Sequence, residues 1–539
     1  MKRTSTLSLA LVAMVVAGAL PLASALPTGS LPAGEAGVAG GVPPQADALK
    51  DGPFDRLVIR NAMIIPGHGG PPTGPSDIVI EGGTIARVGR ARPNEQFDRE
   101  IDATGMYVMP GLIDLHTHIR GNELPYEYVY YMKLAHGVTT MANAADRGFD
   151  NGLEQARLSN ANEIIAPRMY PLHGWRPDAG DPEPTRWEDP AWAPELAREL
   201  IDEKGAHVVS VGSLGWNPEL FGAVANAVYD AGGITTVHLP PSSNAQVQSV
   251  RAAELGVTML EHHYGYAESA LDRTVQDFPP DYGYNDELDR FRHAGKVWQQ
   301  APLDRLYGEV VDRLVASGVA MIPTMAVYEA NRDINRAMGL PWHEKYTHRA
   351  LIDWSFPKVG NHGAYHWDWT SDDEVTWSYT YRTWQKLIYE FNSRGGLLGS
   401  ATDDNYIWAT GGISNIRELQ LMQETGIHPL EVIKAATYNN AKILRRPDLG
   451  LIRPGYTADL LIINGNPLHS FRLMYAFGAM TLDENGDFSH EGGIRWTVKD
   501  GVVFDNRGMM REVERIVAES KVGWTNPVDA LMQLPTKRR

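Results

Sequence analysis

The 539-residue chain contains no cysteine. Disulfides are therefore excluded, and so is a lipid-anchored export signal, which needs a cysteine at its cleavage point. Any metal site must draw its ligands from histidine, carboxylate and water. Basic residues are in deficit: 49 Lys and Arg face 66 Asp and Glu, a formal net charge of −17. A surface that holds nucleic-acid phosphates needs clustered Lys and Arg, and docking on anionic membranes needs the same. Neither partner class fits this composition. Beyond residue 25 no apolar run approaches the roughly 20 residues required to span a bilayer. Hydrophobic residues make up 43% of the chain, ordinary for a globular protein. The length suffices for one large domain and a smaller one.

What is present begins with an address. Lys2 and Arg3 form a basic start, LSLALVAMVVAGALPL an apolar centre, and Ala23-Ser24-Ala25 a small-residue site. This is the pattern of a signal peptide over residues 1–25, and it predicts an exported protein, periplasmic or secreted. An uncleaved anchor is the rival, because the apolar stretch nears spanning length. The small-residue site favours cleavage, which leaves no stable membrane insertion. Residues 26–52 are rich in Pro, Gly and Ala and read as a flexible linker. Short β-type segments separated by Gly-rich turns occupy 53–108 and return over 445–510. They predict a small β-sandwich built by both ends of the chain, followed by a C-terminal tail over 511–539. Between them, over 109–444, apolar runs alternate with amphipathic stretches, with long insertions around 265–390. That is the pattern of a parallel α/β fold.

The segment VMPGLIDLHTHIRG carries the sharpest signal. His116 and His118 follow an apolar run and lie two residues apart, so on a strand both point to one face. Both imidazoles can then reach one centre, and imidazole is a common ligand for zinc-like ions. Seven further strand-like runs follow: HGVTTMANA, APRMYPLHG, GAHVVSVGS, GGITTVHLP, GVTMLEHHYG, GVAMIPTMAVY and GLLGSATDDN. Eight strands fit a (β/α)8 TIM-type barrel, whose active residues sit at strand C-termini. Polar residues stand at those ends: His116, His118, His173, Ser210, His238, His262 and Asp403.

PGLIDLHTH, TVHLP, LEHHYG and GSATDD, in that order, resemble the amidohydrolase superfamily, in particular its imidazolonepropionase-like branch. The late IRELQLMQETGIHPLEVIKAATYNNAKIL and GLIRPGYTADLLI are also similar, so the resemblance runs from about Phe54 to about Asp505. It implies that His116, His118, His238 and Asp403 bind metal and that His262 is the strand-six histidine of the site. Many members carry a carboxylated lysine at the end of strand four, bridging two metals. Here Ser210 takes that place, and a hydroxyl supplies neither the charge nor two oxygen donors. Lys204 lies six positions earlier and is expected to point away from the barrel mouth. The resemblance therefore implies one divalent ion, zinc first, with manganese or iron as alternatives.

Three imidazoles and a carboxylate leave a position for water, as catalytic sites do. An ion there lowers the pKa of water from roughly 16 to about 7. Asp403 is expected to take up a proton and pass it to the leaving nitrogen, while His262 polarises the carbonyl or orients the nucleophile. The expected reaction is hydrolysis of a carbon–nitrogen bond in a small molecule: an amide, a cyclic amide, or an N-acyl amino acid or peptide-like compound. A deaminase is the chemical alternative, although export makes nucleobase salvage less natural. A non-catalytic binding protein that keeps the fold is the third reading. The sequence leaves a homo-oligomer open.

Several residues carry competing readings. Only one of His262 and His263 can face the lumen by alternation, and the family pattern selects His262. Asp404 competes with Asp403, which alternation and the GSATD spacing favour. His173 is either a substrate contact or a rim histidine, and His136 reads as structural. Trp367, Trp369, Trp377 and Trp384 are expected to pack a helical layer, and Trp408 to line the pocket.

Overall fold

A computed structural model describes residues 49–533 apart from 120–123, 143–147, 240–245, 272–281, 284–285, 359–362, 364 and 483. The proposed signal segment, the linker up to residue 48 and the last six residues of the tail lie outside the described residues. Among the described residues no helix is long and apolar enough to cross a membrane.

The eight expected runs form parallel strands. They are Leu112–Asp114, Val138–Ala142, a third strand in two pieces (Arg168–Tyr170 and Leu172–Gly174), Val208–Ser210, Ile234–Val237, Met259–Glu261, Ala320–Ile322 and Leu397–Leu398. Pro171 divides the third strand because it has no N–H to give the ladder. The piece before it pairs with the second strand, and the piece after it with the fourth. The eighth and first strands meet through side chains and strand ends. The Asn440 amide donates to the carbonyls of Ile113 at 2.6 Å and Ser400 at 2.7 Å. The Thr402 N–H donates to the Asp114 carboxylate at 3.1 Å, and the Asp403 N–H to the His116 carbonyl at 2.8 Å. The result is a (β/α)8 barrel. Its interior is filled by Ile113, Leu115, Val208, Ile234, Met259 and Ile322, all buried.

The insertion between the sixth and eighth strands is helical. Its longest helix, Ser371–Ser393, starts at a capping box between Thr370 and Asp373 and carries Asp372, Asp373 and Glu374 in its first turn. Negative charge there complements the helix dipole. Trp377 and Trp384 are fully buried, and Trp369 packs partly buried against the core. Trp367 departs from the expectation: it is 45% exposed and packs no layer.

Strands from both ends of the chain build one nine-stranded mixed sheet. Alternation sends the side chains of Leu460–Ile463 to two cores. Leu460 and Ile462 join Leu57, Ile78, Val108 and Val498 inside the small domain, whereas Leu461 and Ile463 join the main core. Pro110-Gly111 marks the changeover from sheet to barrel: Tyr107–Pro110 pairs with Leu460–Ile463, and Leu112–Asp114 with the second barrel strand. Two sequence boundaries shift. Lys50 and Asp51, at the end of the presumed linker, already pair with Phe504 and Val503. The presumed tail begins inside a helix, Asn506–Ser520, which buries Met509, Met510, Val513 and Val517 against the helix Tyr126–Ala135. That spacing is the one-faced apolar stripe of an amphipathic helix.

The join between sheet and barrel is polar and buried. Arg168 binds Asp459 through both terminal nitrogens, at 2.6 and 3.2 Å. Lys499, fully buried, donates to the Ser159 carbonyl at 2.6 Å. Burial pushes its pKa down from 10.5 to about 8. Between those values the unfolded chain binds more protons than the folded one, so this group makes stability rise with pH across that window. Denaturant titrations at pH 7.5 and 10 should show that rise in the wild type. Lys499→Met should lack it.

Candidate metal centre

His116 and His118 leave the first strand on one face, as their spacing predicts. Asp403 leaves the end of the eighth strand to meet them: its Oδ1 lies 3.1 Å from His116 Nε2 and 2.9 Å from His118 Nε2. The three offer ligand atoms within 4.8 Å of one another. His262 contributes from the sixth strand, with Nε2 3.7 Å from Asp403 Oδ2. Its Nδ1 is 2.6 Å from Thr324 Oγ1 at the end of the seventh strand. His238, on the fifth strand, lines the same cavity but stands outside the tight triad. Its ring centroid is 4.8 Å from that of His262. His263 points the other way, caged by Tyr264, Tyr328, Trp377 and Trp384.

Backbone geometry explains how so many strand ends converge. His262, Thr324 and Asp403, at the ends of strands six, seven and eight, have φ of 57°, 51° and 50°. Left-handed backbone is unusual for these residues, most of all for β-branched threonine, and such strain collects at functional sites. At strand six it suspends alternation, so Glu261 and His262 both border the cavity. Glu261 was not singled out in the sequence for that reason. Its Oε1 lies 3.0 Å from His116 Nδ1, and the Thr236 hydroxyl also donates to it.

Asp404 is settled by a second layer beneath the site. It accepts from Thr117 Oγ1 at 2.6 Å and is ion-paired with Lys133, which also binds Asp114 at 2.8 Å. All three charged groups are fully buried. Alternation thus laces strands one and eight together twice: His116 and His118 to Asp403 on the lumen side, Thr117 to Asp404 on the other. Lys133 was likewise invisible to sequence reading, where a helical lysine looks like surface.

The charges favour a cation at the centre. Burial raises the Asp403 pKa, but His116 and His262 outweigh it and hold the carboxyl well below its ordinary value. Glu261 is also held low, the opposing burial being outweighed by His116. Burial pushes His262 down to about 4, and with the neighbouring His262 it holds His238 far below its usual value. His116 resists burial because Glu261 and Asp403 flank it, and its pKa stands well above normal. Two ionised carboxylates therefore share this centre with His238 and His262, both of which are held low enough to be neutral at pH 7.

The site floors a cavity of about 1380 Å³. His173 and Ser210 line it from strands three and four. Lys204, contrary to expectation, reaches the cavity wall, where it binds Asp178 at 2.6 Å and Glu199 at 3.0 Å. Trp408 also departs from expectation: it borders a separate, smaller cavity, and Tyr406 takes the place beside the metal-site cavity. His136 is structural, closing the end of the helix Tyr126–Ala135 through Nδ1 at 2.8 Å from the Met132 carbonyl.

A sequence profile of the Amidohydrolase family matches residues 388–503. The chain is 23% identical over 400 residues to an adenine deaminase of Lysinibacillus sphaericus (strain C3-41), covering 72% of this chain and 51% of that protein. An imidazolonepropionase of Caldanaerobacter subterraneus subsp. tengcongensis is 32% identical over 99 residues, 16% of this chain and 24% of the relative. The chain thus spans about half, or less, of the length of these curated relatives. The crystal structure of a Xaa-Pro dipeptidase with bound methionine in its active site shares the fold. It has a TM-score of 0.55 at 18% identity and covers 84% of this chain and 100% of that one. The profile match, these relatives and the shared fold together support a place in the amidohydrolase superfamily.

Proposed function

We propose that the protein is a metal-dependent hydrolase of carbon–nitrogen bonds in small molecules: amides, cyclic amides, or N-acyl amino acids and peptide-like compounds. The observation that carries this reading is the buried Asp403 carboxylate within 3.1 Å of both strand-one histidines, on the floor of a large cavity. The edges of a tetrahedron with bonds near 2.1 Å are about 3.4 Å, close to these separations. His116, His118 and Asp403 would hold one divalent ion, with His238 the further nitrogen donor on the same wall, and Zn, Mn or Fe suit such a set. When bound, the ion makes water a nucleophile at neutral pH and polarises the scissile carbonyl.

The chain's own groups do the rest. Asp403 Oδ2, turned toward His262, takes the proton released by the attacking water and returns it to the leaving nitrogen. His262, neutral at physiological pH and oriented by Thr324, places a hydrogen bond on the carbonyl oxygen. Asp403→Asn keeps the shape and removes the base. It is expected to lower kcat by roughly 10²–10⁴-fold, read with N-acyl amino acids, dipeptides and cyclic imides on the metal-loaded enzyme. Amine release from none of these classes would count against the reading.

The 23% identity with an adenine deaminase supports a second reading, attack on an amidine carbon with loss of ammonia. Ammonia release from adenine, with no amide turned over, would select it. We further propose export through residues 1–25, checked by N-terminal sequencing of the protein from the extracytoplasmic fraction. Residue 26 at the N-terminus is the expected result.

A further inference from the structure

His116 uses both ring nitrogens. Nε2 faces Asp403 Oδ1 at 3.1 Å, and Nδ1 faces Glu261 Oε1 at 3.0 Å. The two lone-pair directions of an imidazole diverge, so an ion at Nε2 lies across the ring from Oε1. Glu261 is 3% exposed, and its Oε1 is already shared between His116 Nδ1 and the Thr236 hydroxyl. Its Oε2 lies 3.7 Å from His262 Nε2.

We propose that Glu261 is a positioning residue for the metal and not a ligand. Its carboxylate accepts the Nδ1–H of His116, fixes the tautomer that leaves the Nε2 lone pair free, and strengthens that nitrogen as a donor. Carboxylate–histidine–metal relays of this kind tune affinity through the partner of the ligand. Thr236 anchors the carboxylate from the fifth strand, so strands one, five and six are tied together behind the ion. The inference rests on the metal-site reading above. A direct ligand role is the alternative, since Glu261, His116 and His262 also offer atoms within 4.8 Å of one another. Such a ligand would bind through Oε2, the oxygen that faces His262, or through Oε1 once it had left both hydrogen bonds.

The test loads the full protein with Co(II) and compares wild type with Glu261→Gln, which keeps an acceptor oxygen but loses the charge. Chelator competition should show affinity weaker by about 10–100-fold, while the saturating Co(II) stoichiometry and visible spectrum stay those of the wild type. Thr236→Val, which frees the carboxylate from its anchor, should shift affinity in the same direction by a smaller factor, again without a spectral change. An altered Co(II) spectrum in Glu261→Gln would make Glu261 a ligand and overturn the proposal. Unchanged affinity in both variants would reduce Glu261 to a packing role and overturn it as well. Failure of the wild type to bind Co(II) would instead remove the metal reading on which the proposal rests.

Discussion

Replacing His116 and His118 together by alanine is expected to bring bound metal below roughly a tenth of an ion per chain, because a site built of three or four ligands loses two at once. Activity should fall with it by on the order of 10³-fold or more. That figure follows from the several kcal/mol that a metal contributes to charge stabilisation, at tenfold per 1.36 kcal/mol. The fold should survive. The two rings lie at the cavity floor, whereas the first strand is held by Ile113, Leu115 and the Asp114 network beneath. Metal analysis and circular dichroism on the same preparation separate these effects. Metal retained at full stoichiometry by a folded double variant would place the ion elsewhere.

Lys133→Met is expected to produce the largest loss of stability. Methionine matches the lysine stem in length but leaves Asp114 and Asp404 facing each other with no cation between them. Breaking a buried ion pair from one side costs about 3–5 kcal/mol, a large share of a typical stability of roughly 5–15 kcal/mol. Denaturant titration of metal-free protein reads it directly. The consequence reaches the site as well. Asp114 lies two residues before His116 and accepts its backbone N–H at 3.3 Å, and Asp404 follows Asp403. Metal affinity should therefore fall alongside stability. A change below about 1 kcal/mol would mean that the pair contributes little to stability.

Much of this site was legible in the sequence, for a physical reason. Strands with buried interiors show as apolar runs, and their C-terminal polar residues mark the barrel mouth. The order of these strand ends in the sequence puts His116, His118, His238, His262 and Asp403 at one end of the fold. The small domain showed itself through short β-type segments, separated by Gly-rich turns, at both ends of the chain. What escaped was whatever depends on a broken local rule or a distant partner. Glu261 and His262 are neighbours that alternation would send apart, and only the left-handed backbone at His262 turns both to the cavity. Trp408 was misplaced for a related reason: Asn405, Ile407 and Trp408 all have positive φ, and the chain turns so that Tyr406 takes the wall. Lys133 finds its partner Asp404 271 residues away, and no local pattern announces that a lysine will be buried. Lys204 reaches the cavity wall through Asp178 and Glu199, whose approach is set by tertiary packing.

The reading of Ser210 is the hinge of the metal count, since a hydroxyl there cannot bridge two ions as a carboxylated lysine does. Elemental analysis of the purified protein, after saturation with zinc and removal of excess, tests the central claim most directly. Near one ion per chain, unchanged in Ser210→Ala, is the predicted result. Two ions per chain, or none, would contradict it.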